Sequence, residues 1–169
     1  MAKNETCLIL GATGVGKTLL LKRLQNILYV RIYLPVQVGT NLTDLTLKKK
    51  SVTVRELGGC MGPIWPSYFN DCSSVIFIVD SANIAQVSSS CVQLLSVLSA
   101  EPLRSASVLI LFNKRDMPST MSLTEMRSLF RMDDIVASAP QSITILEGSA
   151  HTGQGLQEVL NWLEHFSDS

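Results

Sequence analysis

The sequence predicts an α/β fold with a six-stranded, mostly parallel sheet, one antiparallel hairpin at its edge, and helices on both faces. Short runs rich in Val, Ile and Leu alternate with segments of helical periodicity, which is typical of a parallel sheet covered on both sides. One pair of segments instead alternates apolar and polar residues around a charged turn. A glycine-rich loop separates the first strand from the first helix.

The central strands are expected where apolar residues are nearly continuous, because strands covered on both faces carry few polar side chains. These runs fall at 6–10, 74–79, 107–112 and 142–146. The edge hairpin is expected from the alternating segments 42–47 and 51–57, which flank Lys48, Lys49 and Lys50.

Helical periodicity predicts four helices: one after Lys17, one at about 84–98, one at 123–130 and one at 156–166. The segments 33–43 and 58–66 contain glycine and proline and are expected to be loops. Ligands of such sheets bind beyond the carboxyl ends of the strands, so we expect both loops near a bound ligand.

Length and composition indicate a single domain over residues 1–169, with 46% hydrophobic and only 17% charged residues. The 14 Lys and Arg residues balance 14 Asp and Glu residues, so no net charge favours nucleic acid as a partner. The four cysteines lack the paired spacing of a metal site. We expect a cytoplasmic monomer with reduced thiols.

No membrane anchor is expected. No apolar run approaches the roughly 20 residues that cross a bilayer. Ala2 stands where myristoylation requires glycine, and the C-terminal HFSDS has no cysteine for prenylation.

The run GATGVGKT at 11–18 is the most specific chemical signal in the sequence. It fits the pattern G-x-x-x-x-G-K-[ST], in which glycines let successive backbone amides turn toward phosphate oxygens. Lys17 supplies a positive charge, and the Thr18 hydroxyl can bind Mg²⁺. The remaining phosphate-binding positions are Gly11, Gly14, Val15 and Gly16. A plain glycine turn between strand and helix is the alternative.

A second signal is the run NKRD at 113–116, directly after an expected strand. The Asp116 carboxylate offers two acceptors that suit the paired donors on the Watson–Crick edge of guanine, whereas adenine presents a different arrangement. Taken alone, this run is more typical of a polar turn with Asp116 as a helix cap, because polar residues commonly follow a strand. Combined with the phosphate loop, it indicates a guanine nucleotide. The amide of Ala150, after the last strand, can meet the purine oxygen.

These motifs, in this order, resemble the small GTPases of the Ras superfamily, and more closely their ADP-ribosylation-factor-like branch. The resemblance covers residues 6–166, and segment 57–83 is similar to the glycine pair, the following helix and the fourth strand of that branch. It implies a P-loop small-GTPase fold that binds GTP or GDP with Mg²⁺. By position it implies contacts with the terminal phosphate or the base for Gly59, Asn113, Lys114, Asp116, Ser149 and Ala150.

The resemblance also implies two switch loops, 33–43 and 58–68, which the last phosphate and Mg²⁺ order and which relax when that phosphate is lost. Protein effectors, and exchange or activating factors, would recognise these loops. Thr40 and Arg55 replace aromatic residues that usually face effectors in this branch, while Tyr68 keeps the third. We therefore expect different partners.

Three positions depart from the pattern of the branch. Cys60 stands where a catalytic glutamine orients the attacking water, and a thiol is a weak donor and acceptor. Glu56 replaces an aspartate that holds Mg²⁺ through water, and it keeps the carboxylate. Gln37 stands where a metal-binding threonine is expected, with Thr40 as the alternative.

The expected function is a guanine-nucleotide switch whose hydrolysis, supported by Lys17 and Mg²⁺, is weak or depends on a partner. The main alternative is a constitutively GTP-bound interaction module that does not hydrolyse. An ATP-using P-loop kinase would use Lys17 and Thr18 equally well. A redox-sensitive or nucleophilic Cys60 is a further alternative, since a thiol beside backbone amides can have a lowered pKa.

Overall fold

The computed structural model describes residues 4–28, 36–37, 40–118 and 120–167. Within these residues, seven strands form one sheet in the order β2-β3-β4-β1-β5-β6-β7. The pairs β2–β3 and β3–β4 are antiparallel, and all other neighbours are parallel. The strands are β1 (Asn4–Leu10), β2 (Val36–Gln37), β3 (Thr40–Thr46), β4 (Ser51–Leu57), β5 (Ser74–Asp80), β6 (Ser107–Asn113) and β7 (Ser142–Glu147).

The six strands expected from the sequence are present, and β3 and β4 form the predicted edge hairpin. The structure adds β2, a strand of two residues outside the hairpin, which is too short to give a periodic signal. The expectation that 142–146 lies at the centre of the sheet was wrong. Strand β7 forms the far edge, and its side chains are mostly half-buried.

The four predicted α-helices are confirmed, and the described part of the chain contains a fifth. Helix α4 was missed because it spans seven residues, of which only Met132 and Ile135 are buried, so it has no repeated apolar stripe. Helix α3 begins at the N-cap residue Ser122, whose Oγ accepts a hydrogen bond from the Glu125 amide at 3.1 Å. The helices are α1 (Lys17–Leu28), α2 (Ile84–Ser99), α3 (Leu123–Phe130), α4 (Met132–Ser138) and α5 (Leu156–His165).

A 3₁₀ helix occupies Gly59–Asp71, so the loop expected at 58–66 was wrong, whereas the helix implied by the resemblance is present. It contains Pro63 and Pro66, which lack the N–H that a regular helix would use. Trp65 and Phe69 bury their rings in the core, and the Trp65 Nε1–H donates to the Gly58 carbonyl at 3.1 Å. These contacts hold an otherwise irregular sequence against the sheet.

Two hydrophobic clusters cover the two faces of the sheet, because successive side chains of a strand point to opposite sides. In β1, Leu8 and Leu10 join the cluster that contains residues of α2, α3, α4 and the 3₁₀ helix. Cys7 and Ile9 join the cluster that contains residues of α1 and α5. The predicted covering of both faces is therefore confirmed.

Helix α5 also holds the turn of the hairpin. The Glu164 carboxylate accepts hydrogen bonds from the amides of Lys48 and Lys49 at 3.1 and 2.6 Å. Lys50 pairs with Glu5 at 3.1 Å. The turn is charged, as expected, but it is fastened to the body of the protein rather than simply solvated.

The buried thiols generate a labelling prediction. Burial raises the pKa of Cys7 and of Cys72 to about 12, so almost no reactive thiolate exists at neutral pH. Brief iodoacetamide treatment at pH 7.5 should leave both unmodified in the folded protein and modify both in guanidinium, as measured by peptide mass spectrometry. Labelling of the folded protein at the rate of a free thiol would contradict this burial.

Candidate functional site

The loop from Gly11 to Gly16 turns sharply between β1 and α1. Gly14 and Gly16 have φ values of 81° and 103°, in the left-handed region that disfavours residues with a Cβ. At Gly16 the constraint is also steric, since a Cβ would lie 2.5 Å from Nδ2 of Asn113. Val15 is fully buried and anchors the loop to the core. The predicted phosphate loop therefore has a fixed, curled backbone.

Lys17 opens α1 and is only 7% exposed. Its ammonium donates hydrogen bonds to the carbonyls of Gly11 and Ala12 at 2.9 and 2.8 Å. These bonds bring the side chain back over the start of the loop. A nearly buried positive charge at this position favours an anionic ligand.

Asn113 ends β6 and connects the phosphate loop with the loop after β7. Its Nδ2 donates to the Val15 carbonyl at 2.8 Å, and its Oδ1 accepts from the Ala150 amide at 3.0 Å. The side chain is 2% exposed, and both ends of its carboxamide are bonded. The two loops are therefore held at a fixed distance from each other.

Lys114 adds a second connection. Its ammonium donates to the Gly14 carbonyl at 2.6 Å and pairs with the Asp80 carboxylate at 2.8 Å. The phosphate loop is thus fastened to the strand ends at two consecutive residues, Asn113 and Lys114.

Asp116 and Ser149 face each other across this part of the site. The Ser149 hydroxyl donates to Asp116 Oδ1 at 2.6 Å, and this bond lowers the pKa of the Asp116 carboxyl. Because its pKa is lowered, the carboxylate stays charged through its ordinary titration range, and it is protonated only as the pH falls through the lowered pKa. Asp116 is exposed, so its charge can face a ligand.

A pocket of about 290 Å³ lies between these two loops, close to the lower end of the volumes of small-molecule sites. Two of its walls come from Leu19 on α1 and Met117 after β6, both partly exposed apolar side chains. Its polar lining includes Asp116 and Ser149. A flat aromatic ring with hydrogen-bonding edges suits this combination.

Thr18 and Glu56 come together beside the phosphate loop, where the Thr18 hydroxyl donates a hydrogen bond to the Glu56 carboxylate. Glu56, at the end of β4, is 7% exposed. Gln37 and Thr40 have their backbones in β2 and β3, but their side chains lie outside the described residues. The two remaining metal expectations therefore have no described geometry.

Gly59 lies directly against the phosphate loop. A Cβ on Gly59 would be 2.2 Å from the backbone nitrogen of Thr13, a distance that no side chain tolerates. The backbone of Cys60 follows in the 3₁₀ helix, and its side chain lies outside the described residues. The start of this helix is thus positioned by contact with the loop.

Three residues at the site were missed by the sequence reasoning. Arg23 Nε donates to the Ala150 carbonyl at 2.9 Å, and Gln86 Nε2 donates to the Thr13 carbonyl at 3.0 Å. Both contacts join distant parts of the chain and leave no local signal. Asp80 could have been found from the sequence, because it is the polar residue that ends the apolar run of β5, as Asn113 ends that of β6. The two residues are in register at the carboxyl ends of neighbouring parallel strands.

A sequence model of the ADP-ribosylation factor family matches residues 1–166. The chain belongs to the ADP-ribosylation factor family. The predicted resemblance is thereby confirmed, and membership of this family supports a GTP-binding switch.

Individual relatives of this Arf-family chain agree. Human ADP-ribosylation factor-like protein 16 is 55% identical over 171 residues, covering 96% of this chain and 86% of that protein. ADP-ribosylation factor-like protein 1 of Saccharomyces cerevisiae is 36% identical over 163 residues, covering 95% and 86%. The Arl6 BBS3 small GTPase of Trypanosoma brucei, solved with GppNp, superposes with a TM-score of 0.83 at 18% identity and covers 97% of each chain. This last likeness confirms the small-GTPase fold.

None of the helices in the described ranges has both the length and the hydrophobicity needed to span a bilayer. Among the same residues, no group of three or more His, Cys, Asp or Glu side chains is arranged to hold a metal ion.

The crowding at Gly16 generates a stability prediction. Gly16→Ala should lower the free energy of unfolding by about 1–3 kcal/mol, because it adds both an unfavourable φ and a clash with Asn113. Gly153→Ala is the matched control, since Gly153 has a φ of 92° but nothing within 4 Å of its Cβ direction. Urea unfolding should show the larger loss at Gly16. Equal losses would contradict the packing against Asn113.

Proposed function

We propose that this chain is a guanine-nucleotide switch that binds GTP and GDP with Mg²⁺ and presents nucleotide-dependent loops to protein effectors. The observation that carries the proposal is the Asn113 carboxamide, which bonds to the phosphate loop on one side and to Ala150 on the other. One ligand with phosphates at one end and a base at the other can therefore contact both loops. Family membership supports the same ligand class.

The base selectivity is proposed to come from Asp116. Its carboxylate accepts from Ser149 through Oδ1, which leaves acceptor capacity for the two neighbouring donors of guanine. Ala150 lines the base pocket, and its single amide hydrogen donates to Asn113 Oδ1. This amide would therefore meet a purine oxygen only by sharing or giving up that bond. Adenine would place a different set of donors and acceptors against these groups, so ATP should bind poorly.

The phosphate end is proposed to involve the loop amides from Gly11 to Gly16, the Lys17 ammonium and the amide of Gly59. Thr18 and Glu56 fit Mg²⁺, because this ion prefers hard oxygen ligands and is usually held by one or two protein groups together with substrate phosphates. Bound Mg²⁺ would neutralise charge on the phosphate oxygens. Gln37 or Thr40 would add a further oxygen from the first switch.

Hydrolysis is proposed to be weak or partner-dependent. Phosphoryl transfer depends mainly on positioning and on charge stabilisation, and Lys17 provides positive charge at the loop. Cys60 lacks the carboxamide that would orient an attacking water. A constitutively GTP-bound, non-hydrolysing module is the second candidate, and this same residue favours it.

The partners are proposed to be protein effectors and regulators that recognise the segment around the 3₁₀ helix, with the chain acting as a cytoplasmic monomer. Arg55 lies over the ring of Tyr68, with its guanidinium carbon 4.9 Å from the ring centroid. This cation–π pair places a planar, positively charged guanidinium on an aromatic ring at this surface. Effectors should therefore present acidic or aromatic groups here.

The guanine assignment predicts a change of base preference. Asp116→Asn should weaken GDP binding about tenfold or more and improve xanthosine diphosphate relative to it, because the amide replaces one acceptor with a donor. Competition against a fluorescent nucleotide measures both affinities. Asp44→Asn, on an exposed position of β3, is the matched control. An unchanged preference in the variant would contradict the role of Asp116 in base selection. Displacement by ADP as effective as by GDP in the wild type would favour the kinase alternative.

The account of position 60 predicts a gain of activity. Cys60→Gln should raise single-turnover GTP hydrolysis about tenfold or more, because a carboxamide can orient water. Cys60→Ser, which removes the thiol without adding an amide, should stay slow. If the Gln variant is no faster than wild type, this explanation of slow hydrolysis is wrong. If cell extract also fails to stimulate hydrolysis, the non-hydrolysing module is favoured.

A further inference from the structure

We propose that Asp80 is a positioning residue for the nucleotide, because its buried carboxylate holds the Lys114 ammonium on the phosphate loop. The inference rests on the proposed guanine-nucleotide function. It concerns a residue that belongs neither to the GATGVGKT run nor to the NKRD run.

The position and orientation of the Asp80 side chain are set by contacts other than the one with Lys114. It is the last residue of β5 and pairs in register with Asn113, the last residue of β6. Its Oδ1 accepts the Ala82 amide at 2.8 Å, and its side chain is only 7% exposed. The other oxygen, Oδ2, faces Lys114 Nζ at 2.8 Å. A nearly buried carboxylate with one oxygen already bonded has one direction left for its cation.

Lys114 needs such a partner. Its φ of 63° places it in the left-handed region, which is unusual for a residue with a long side chain. About one third of its side chain is exposed, so the long stem would otherwise sample several rotamers. The ion pair with Asp80 selects the rotamer that delivers Nζ to the Gly14 carbonyl at 2.6 Å.

Gly14 lies at the tip of the phosphate loop, and its carbonyl accepts the hydrogen bond from Lys114. The carbonyls on either side, of Thr13 and Val15, accept hydrogen bonds from Gln86 and Asn113. A Cβ built on Gly14 would meet nothing within 4 Å, so no atom packs where a side chain would stand. The hydrogen bond from Lys114 therefore fixes the tip of the phosphate loop relative to the base side of the site. Asp80 acts on the ligand through Lys114 and Gly14, not by touching it.

A purely local role for Asp80 is the competing explanation, because the same carboxylate caps the turn at Ala82. Asp80→Ser separates the two roles, since a serine hydroxyl can still accept the Ala82 amide but carries no charge for Lys114. Asp80→Asn removes the charge with the shape preserved. Using both variants keeps the test decisive if one of them folds poorly.

The experiment measures GDP dissociation with a fluorescent GDP analogue in the presence of Mg²⁺. Asp80→Asn and Asp80→Ser should each release nucleotide about tenfold faster than wild type, the change expected for losing one hydrogen bond between charged groups. The same substitutions made on a Lys114→Met background should add less than about twofold, because the partner is already absent. Asp44→Asn, which removes an exposed acid that bonds to Thr53, should leave the rate unchanged.

The outcomes separate the two proposals. Equal dissociation rates for wild type and both Asp80 variants would overturn the positioning role while the guanine-nucleotide function stands. A tenfold effect that persists on the Lys114→Met background would also overturn it, in favour of a local role at the turn. A wild-type chain that binds no GDP would contradict the proposed function and remove the basis of this inference as well.

Discussion

The site depends on one buried carboxamide. Asn113 is enclosed at the end of a central strand, and its two polar atoms are satisfied by opposite loops, Val15 on one side and Ala150 on the other. A buried amide left without partners is strongly unfavourable, so the fold is most stable when both loops close on it. The absence of a Cβ at Gly16 belongs to the same arrangement, because Asn113 fills that space. The glycine-rich loop after β1 and the loop after β7 are thereby held as one unit.

Strand topology explains why these groups meet. Strands β1, β5, β6 and β7 are parallel neighbours, so their carboxyl ends, and the residues that follow them, lie on the same side of the sheet. Asp80, Asn113 and Gly148 lie at these carboxyl ends, with the phosphate loop beside them. Cys60 belongs instead to a 3₁₀ helix packed on one face of the sheet. The proposed nucleotide contacts therefore lie at the ends of strands, whereas position 60 lies in a different element, the 3₁₀ helix. This is why we propose that binding and hydrolysis depend on different parts of the fold.

Sequence reasoning predicted the strands, the main helices and both motif runs, because these signals are local: apolar runs, periodicity and fixed spacing. It missed Arg23 and Gln86, whose partners are distant in the chain, and it missed the ion pair of Lys114 with Asp80 although both residues end or follow apolar strands. The segment from Gly59 was misread as a loop because its glycines and prolines are typical of turns, while its structure is decided by burial of Trp65 and Phe69. Tertiary contacts overrode local composition there.

The most direct test of this account is calorimetric titration of nucleotide-stripped wild-type protein and of Asn113→Asp with GDP and Mg²⁺. The aspartate keeps the size of the side chain and an acceptor for the Ala150 amide, but it removes the donor to Val15 and places a charge in a buried position. We expect wild type to bind GDP tightly and the variant to bind it at least about a hundredfold more weakly. Equal GDP affinities would contradict the claim that this carboxamide unites the two halves of the site.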